Sequence, residues 1–81
     1  MLKEVQVKDL VKGKLYSDIK NHKSRLSTIL MFDHFDDGEY PNFKYHSGFC
    51  SYGDPDSFIC FKGLIPFYEL PESEQVNQSH D

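Results

Sequence analysis

Val5 and Val7 alternate with Glu4, Gln6 and Lys8 near the start of the chain, the period-two pattern of a half-buried strand. Asp9-Leu10-Val11-Lys12-Gly13 then reads as a tight connection in which Gly13 supplies a residue free to adopt positive φ. Lys14 to Ile19 predicts a second strand, and the polar run Asn21-His22-Lys23-Ser24 predicts a turn. The largely apolar stretch Leu26 to Phe35 follows Arg25. Its β-branched and aromatic residues favour a strand, although Leu26 to Met31 alone fits a helix as well. Asp36-Asp37-Gly38-Glu39 carries the Asp-Gly dipeptide of a hairpin, so Tyr40 to His46 is expected to return as the partner strand, with Pro41 near its start or on an edge. Ser47 to Pro55, with Gly48, Gly53 and Pro55, reads as a loop or irregular hairpin. Ser57 to Lys62 is a further short strand, and Leu64 to Leu70, broken by Pro66, an edge strand or final turn.

Five or six short strands with tight turns predict an all-β fold, a small antiparallel barrel or strongly curved sheet over residues 1–70. The ring content supports a packed core: the chain has 12 Phe and Tyr, and 11 of them fall between Phe32 and Tyr68. Each ring buries on the order of 150–250 Å², so a few suffice for a short chain. A chain of 81 residues buries only about 60–65% of its unfolded surface, which leaves little room for a deep catalytic cavity.

The segment Val5-Gln6-Val7-Lys8-Asp9-Leu10-Val11-Lys12-Gly13-Lys14-Leu15-Tyr16 is a strand, then a hydrophobic turn, then Gly-Lys-x-Tyr leading into the next strand. In this it resembles the small SH3-like β-barrel proteins encoded by phages and mobile elements. The resemblance implies an SH3-like barrel, and as a setting a small phage-type protein that interferes with a host process or defence system.

Charge changes the picture in two places. The formal charge of −4 owes much to Pro71–Asp81, which has no ring and three acids and is expected to be a disordered acidic tail. Within the chain, residues 1–25 hold seven Lys/Arg against three acids, whereas residues 26–81 hold two against ten. That asymmetry predicts a positive patch if the early lysines and Arg25 share one side. No apolar run approaches the roughly 20 residues of a membrane span, and the first residues lack a signal-peptide core, so a soluble, cytoplasmic protein is expected.

Catalytic and metal chemistry finds little footing. His34, His46, Cys50 and Cys60 offer zinc ligands, but only His46 and Cys50 have the close spacing of a structural pair. Asp33, Asp36, Asp37 and Glu39 lack the register of a calcium loop. A Cys50–His46 nucleophile has no recognisable oxyanion-hole element beside it, and the five dispersed glycines make no phosphate loop. No enzyme, cofactor or metal is therefore expected.

Binding fits better. Tyrosine rings can stack on a base while nearby cations take phosphates, and Lys12, Lys14, Tyr16, Arg25, Tyr40 and Tyr45 are the candidates for sequestering a small anionic nucleotide, with a symmetric homodimer as one way to complete the pocket. The alternative is an inhibitor that covers a host protein's surface through an exposed apolar patch, with a small zinc-binding module as a more remote one. Polymeric nucleic acid is disfavoured by the acidic balance.

Overall fold

A computed structural model of the chain describes residues 2–63 and 65–75. It contains β1 (Glu4–Val5), a 3-10 turn at Val7–Asp9, β2 (Leu15–Ser17), β3 (Thr28–Asp36), β4 (Tyr40–Gly48), β5 (Ile59–Cys60), β6 (Phe67–Glu69) and a second 3-10 turn at Glu72–Glu74. The strands form one antiparallel sheet in the order β1-β6-β2-β3-β4-β5. Among the described residues no ladder joins β1 to β5, so the sheet is curled rather than closed into a barrel. No helix among them is long and apolar enough to cross a membrane.

Local chemistry explains most of the turns. Gly13 has φ 88°, and its N–H donates to the Phe32 carbonyl at 2.9 Å, which fixes the entry into β2. Between β3 and β4, Asp37 (φ 55°) and Gly38 (φ 75°) are both left-handed, as a primed hairpin turn requires, and Glu39 N–H closes it on the Asp36 carbonyl. The two long strands are irregular twice: His46 is extra between the Ile29–Ser47 and Leu30–Tyr45 pairs, and Asp33 is extra between Phe32–Phe43 and His34–Asn42. Such bulges bend and twist a strand, and here they curl the hairpin over the core.

Two expectations about strands change. The alternation at the start gives only two residues of β1, because Asp9 N–H turns back to the Gln6 carbonyl and thereby places Leu10 in the core. The last strand is not an edge. Phe67–Glu69 lies between β1 and β2, and because Pro66 precedes the strand its missing N–H removes no ladder bond.

The concave face is aromatic. Phe43 is fully buried and meets Tyr16, Phe32, Phe61 and Phe67 at centroid distances of 6.3, 5.4, 5.5 and 4.7 Å, mostly edge to face. Successive strand residues face opposite ways, so Leu15, next to Tyr16, belongs to a second cluster on the convex face with Ile29 and Leu70, flanked by Leu2 and Met31.

The chain does not leave the body at Leu70. Gln75 spans the point where β2 and β6 part: Leu15 N–H donates to its Oε1 at 2.7 Å, and its Nε2 donates to the Leu70 and Leu15 carbonyls at 3.0 and 3.2 Å. One side-chain amide thus continues the ladder by a rung. His22 Nε2 lies 2.8 Å from Glu74 Oε1 on the same segment. The remainder of the expected tail, residues 76–81, lies outside the described residues.

Candidate functional site

The six residues expected to bind a nucleotide are spread over the sheet. Tyr16 is 1% exposed; its hydroxyl accepts the Val11 N–H at 2.9 Å, and burial pushes the phenol pKa up. Lys14 donates to Glu69 at 2.9 Å, and that hydrogen bond with the Glu69 charge raises its pKa. Tyr45 is half-buried against the core, with its hydroxyl donating to the Gly48 carbonyl. Tyr40 stands at the hairpin end of β4, with Lys62 Nζ 5.7 Å from its ring centroid. Lys12 and Arg25 are exposed in separate turns.

Tyr16 and Tyr45 both pair with Leu30 and so share a row across β2, β3 and β4. Arg25 and Tyr40 sit at opposite ends of the long hairpin: Gly48 pairs with Thr28, near Arg25, and eight residues separate it from Tyr40, roughly 26 Å of strand. Arg25 and Tyr40 therefore do not line one pocket of a protomer. The zinc candidates are also dispersed: His34 bonds Asp33, His46 bonds Ser47, Cys50 and Cys60 are free thiols, and among the described residues no three such groups are placed to hold a metal.

A different cluster stands out at the Gly48 end of the sheet. Ser27 and Gly48 bring two chain segments together, with Phe49 N–H donating to the Ser27 carbonyl at 2.9 Å. The approach requires glycine: Gly48 has φ 92°, and a Cβ there would lie 2.3 Å from the Ser27 oxygen. Leu26 and Phe49 follow from this geometry on neighbouring segments and are 62% and 50% exposed; Phe58 is open to a similar degree, at 47%, but packs edge to face on His34 with Lys44 over its ring.

The base beneath them is polar and largely bonded, although the buried Thr28 hydroxyl has no partner among the described residues. Asp18 accepts the Thr28 N–H on one oxygen at 2.9 Å and the Tyr52 hydroxyl on the other at 2.8 Å. Burial first, then the hydrogen bond and charge of Asp18, push the Tyr52 phenol well above its ordinary pKa. The Ser17 and Ser27 hydroxyls lie 2.8 Å apart, and Ser17 also donates to the Ile19 carbonyl. Two successive turns, Ser24 N–H to Asn21 and Ser27 N–H to Ser24, shape the connecting loop. Lys20, Lys23 and Arg25 are exposed on that loop, and among the described residues no carboxylate lies within ion-pairing distance of them.

Sequence pattern did not single out Leu26 and Phe49, because both lie in runs that read as core or irregular loop. The one available signal was Gly48 directly ahead of Phe49, a glycine that ends a strand in a left-handed turn. Comparison with protein-family models, with curated proteins and with solved structures gives no match for this chain.

Proposed function

We propose that this chain is a non-enzymatic binding protein that docks onto another protein by seating Leu26 and Phe49 in an apolar depression, with Lys20, Lys23 and Arg25 facing an acidic rim. The observation that carries this reading is the pair of large apolar side chains exposed on segments locked together at Ser27 and Gly48. Burying a Leu or Phe contributes about 1.5–3 kcal/mol each, and anchors held rigidly before binding lose little entropy when they dock. A projecting pair without an enclosing cavity suits insertion into a protein better than capture of a nucleotide, which needs a concave site. Sequestration of a nucleotide draws little support from the six residues expected to do it, since Tyr16 is buried and Arg25 and Tyr40 sit at opposite ends of the long hairpin. The resemblance to phage and mobile-element proteins would make the partner a host protein whose working surface is covered.

The test is site-specific photocrosslinking. A photoreactive phenylalanine analogue at position 49 is expected to give one dominant protein adduct in source cells, whereas the same analogue at Val11, also 50% exposed, gives none. Equal labelling from both positions would contradict the reading.

A further inference from the structure

β2 ends at Ser17, and the residue after it explains why. Asp18 N–H still donates to the Thr28 carbonyl at 3.3 Å, which continues the β2–β3 register by one rung. The return bond comes from a side chain: Thr28 N–H donates to Asp18 Oδ1 at 2.9 Å. The carboxylate thus stands in for the main-chain carbonyl of its own residue, an exchange that short acidic side chains make readily. The backbone is then free to leave the sheet toward the loop that carries Lys20, Lys23 and Arg25.

The second oxygen holds a different segment. Tyr52 O–H donates to Asp18 Oδ2 at 2.8 Å, and the Tyr52 ring stands edge to face on Phe61 of the core with 5.0 Å between centroids. One carboxylate therefore grips two stretches of chain. Thr28 lies two residues from Leu26, and Tyr52 lies three residues from Phe49. The same stretches meet again where Phe49 N–H donates to the Ser27 carbonyl. The crossing at Ser27 and the bridge at Asp18 close a ring of contacts through Thr28, Tyr52 and Phe49. Displacing one anchor's backbone against the other strains a bond of this ring.

We propose that Asp18 is the positioning residue of the docking pair: through Thr28 and Tyr52 it fixes Leu26 and Phe49 at one spacing before a partner arrives. The inference rests on the docking reading above and names what makes two separate anchors act as a unit. Apolar side chains on loosely tethered loops must be ordered when they bind. Here the ordering is completed during folding, by a residue that is itself no anchor.

Native-state hydrogen exchange of the full chain reads this clamp without a partner. The rate of the Phe49 amide is taken relative to that of Gly13 N–H, which is bonded to the Phe32 carbonyl in the turn ahead of β2. A loss of global stability moves both amides, whereas loss of the clamp moves Phe49 alone. The ratio is expected to rise about fivefold in Tyr52→Phe and about tenfold or more in Asp18→Ala. Asp18→Asn keeps an oxygen for Thr28 N–H and an amide N–H for the Tyr52 hydroxyl, so it should restore the ratio to within about twofold of wild type. Far-UV circular dichroism checks the fold of each, and Tyr52→Phe, which loses a single hydroxyl, keeps the test readable if Asp18→Ala does not fold. With the photoreactive analogue at position 49, Asp18→Ala should lower the adduct yield about tenfold and Asp18→Asn should restore it.

An unchanged exchange ratio in either clamp variant that folds would overturn the inference, as would Asp18→Asn behaving like Asp18→Ala. A normal adduct that Asp18→Ala leaves intact would overturn this inference alone. No adduct from the otherwise wild-type chain would overturn the docking reading, and this inference with it.

Discussion

Gln75→Ala removes the amide that bridges β2 and β6 while leaving every apolar contact of the body in place. The substitution strips the Leu15 N–H of its partner, in a residue only 2% exposed, and also removes the Nε2 bond to the Leu70 carbonyl. The Leu15 carbonyl keeps the Leu70 N–H at 3.2 Å, so the loss centres on one buried donor. An unpartnered buried N–H costs about 1–3 kcal/mol, toward the lower end if water enters. At roughly 4–8 °C per kcal/mol for a domain of this size, a central loss of about 2 kcal/mol lowers the thermal midpoint by about 8–16 °C.

Gln75→Glu sharpens the test. The carboxylate still accepts from Leu15 N–H but faces two carbonyls that it cannot serve, so it destabilises near neutral pH. The folded state then favours the protonated acid, which can donate again. The folded pKa of this glutamate therefore lies above the unfolded value of about 4.3, and its stabilising contribution is full below that value and lost as pH rises. The gap between Gln75→Glu and wild type should narrow on acidification, whereas the Gln75→Ala gap should not. Differential scanning calorimetry across pH measures both. A Gln75→Ala midpoint within about 2 °C of wild type would refute the claim that this amide completes the sheet.

Three further outcomes follow from the geometry. Gly48→Ala combines a left-handed residue with a Cβ driven into the Ser27 carbonyl, so it should cost about 2 kcal/mol or more, read as a calorimetric midpoint lowered by about 8 °C or more; an unchanged midpoint would remove the rigid base from under Phe49. Tyr52→Phe should cost about 1 kcal/mol in denaturant unfolding, the modest end for a bond to a carboxylate because Tyr52 is only half-buried. Since the folded Tyr52 phenol titrates above its ordinary value of 10.0, that contribution is complete below pH 10 and fades above it, so the gap between wild type and Tyr52→Phe should close in alkali. Leu26→Asp should leave the thermal midpoint nearly unchanged, because this side chain is 62% exposed, while strongly reducing the crosslink formed by the photoreactive analogue at position 49.

The parts of the fold that follow local rules were legible in the chain. The left-handed turn at Gly13, the Asp37-Gly38 hairpin and the pairing of the two long strands each rest on a few adjacent residues. The insertion of Phe67–Glu69 between β1 and β2 depends on contacts between distant segments, which alternation does not encode. Gln75 escaped for a related reason: it lies in an acidic, ring-free stretch, and its role comes from where β2 and β6 part. Tyr16 was chosen as a ligand residue by type, but its place on a three-residue strand turns the ring inward against Phe43. Phe49 reverses that case, since the left-handed Gly48 redirects the chain after the strand and leaves the ring in solvent.

The docking claim is tested most directly by native mass spectrometry of the protein purified gently from its own cells, with wild type and the L26D/F49D variant side by side. The expected result is a complex with one additional protein of defined mass for the wild type, and the free chain for the variant. Retention of the same partner by the variant, or a nucleotide mass on the wild type in place of a protein, would contradict the account.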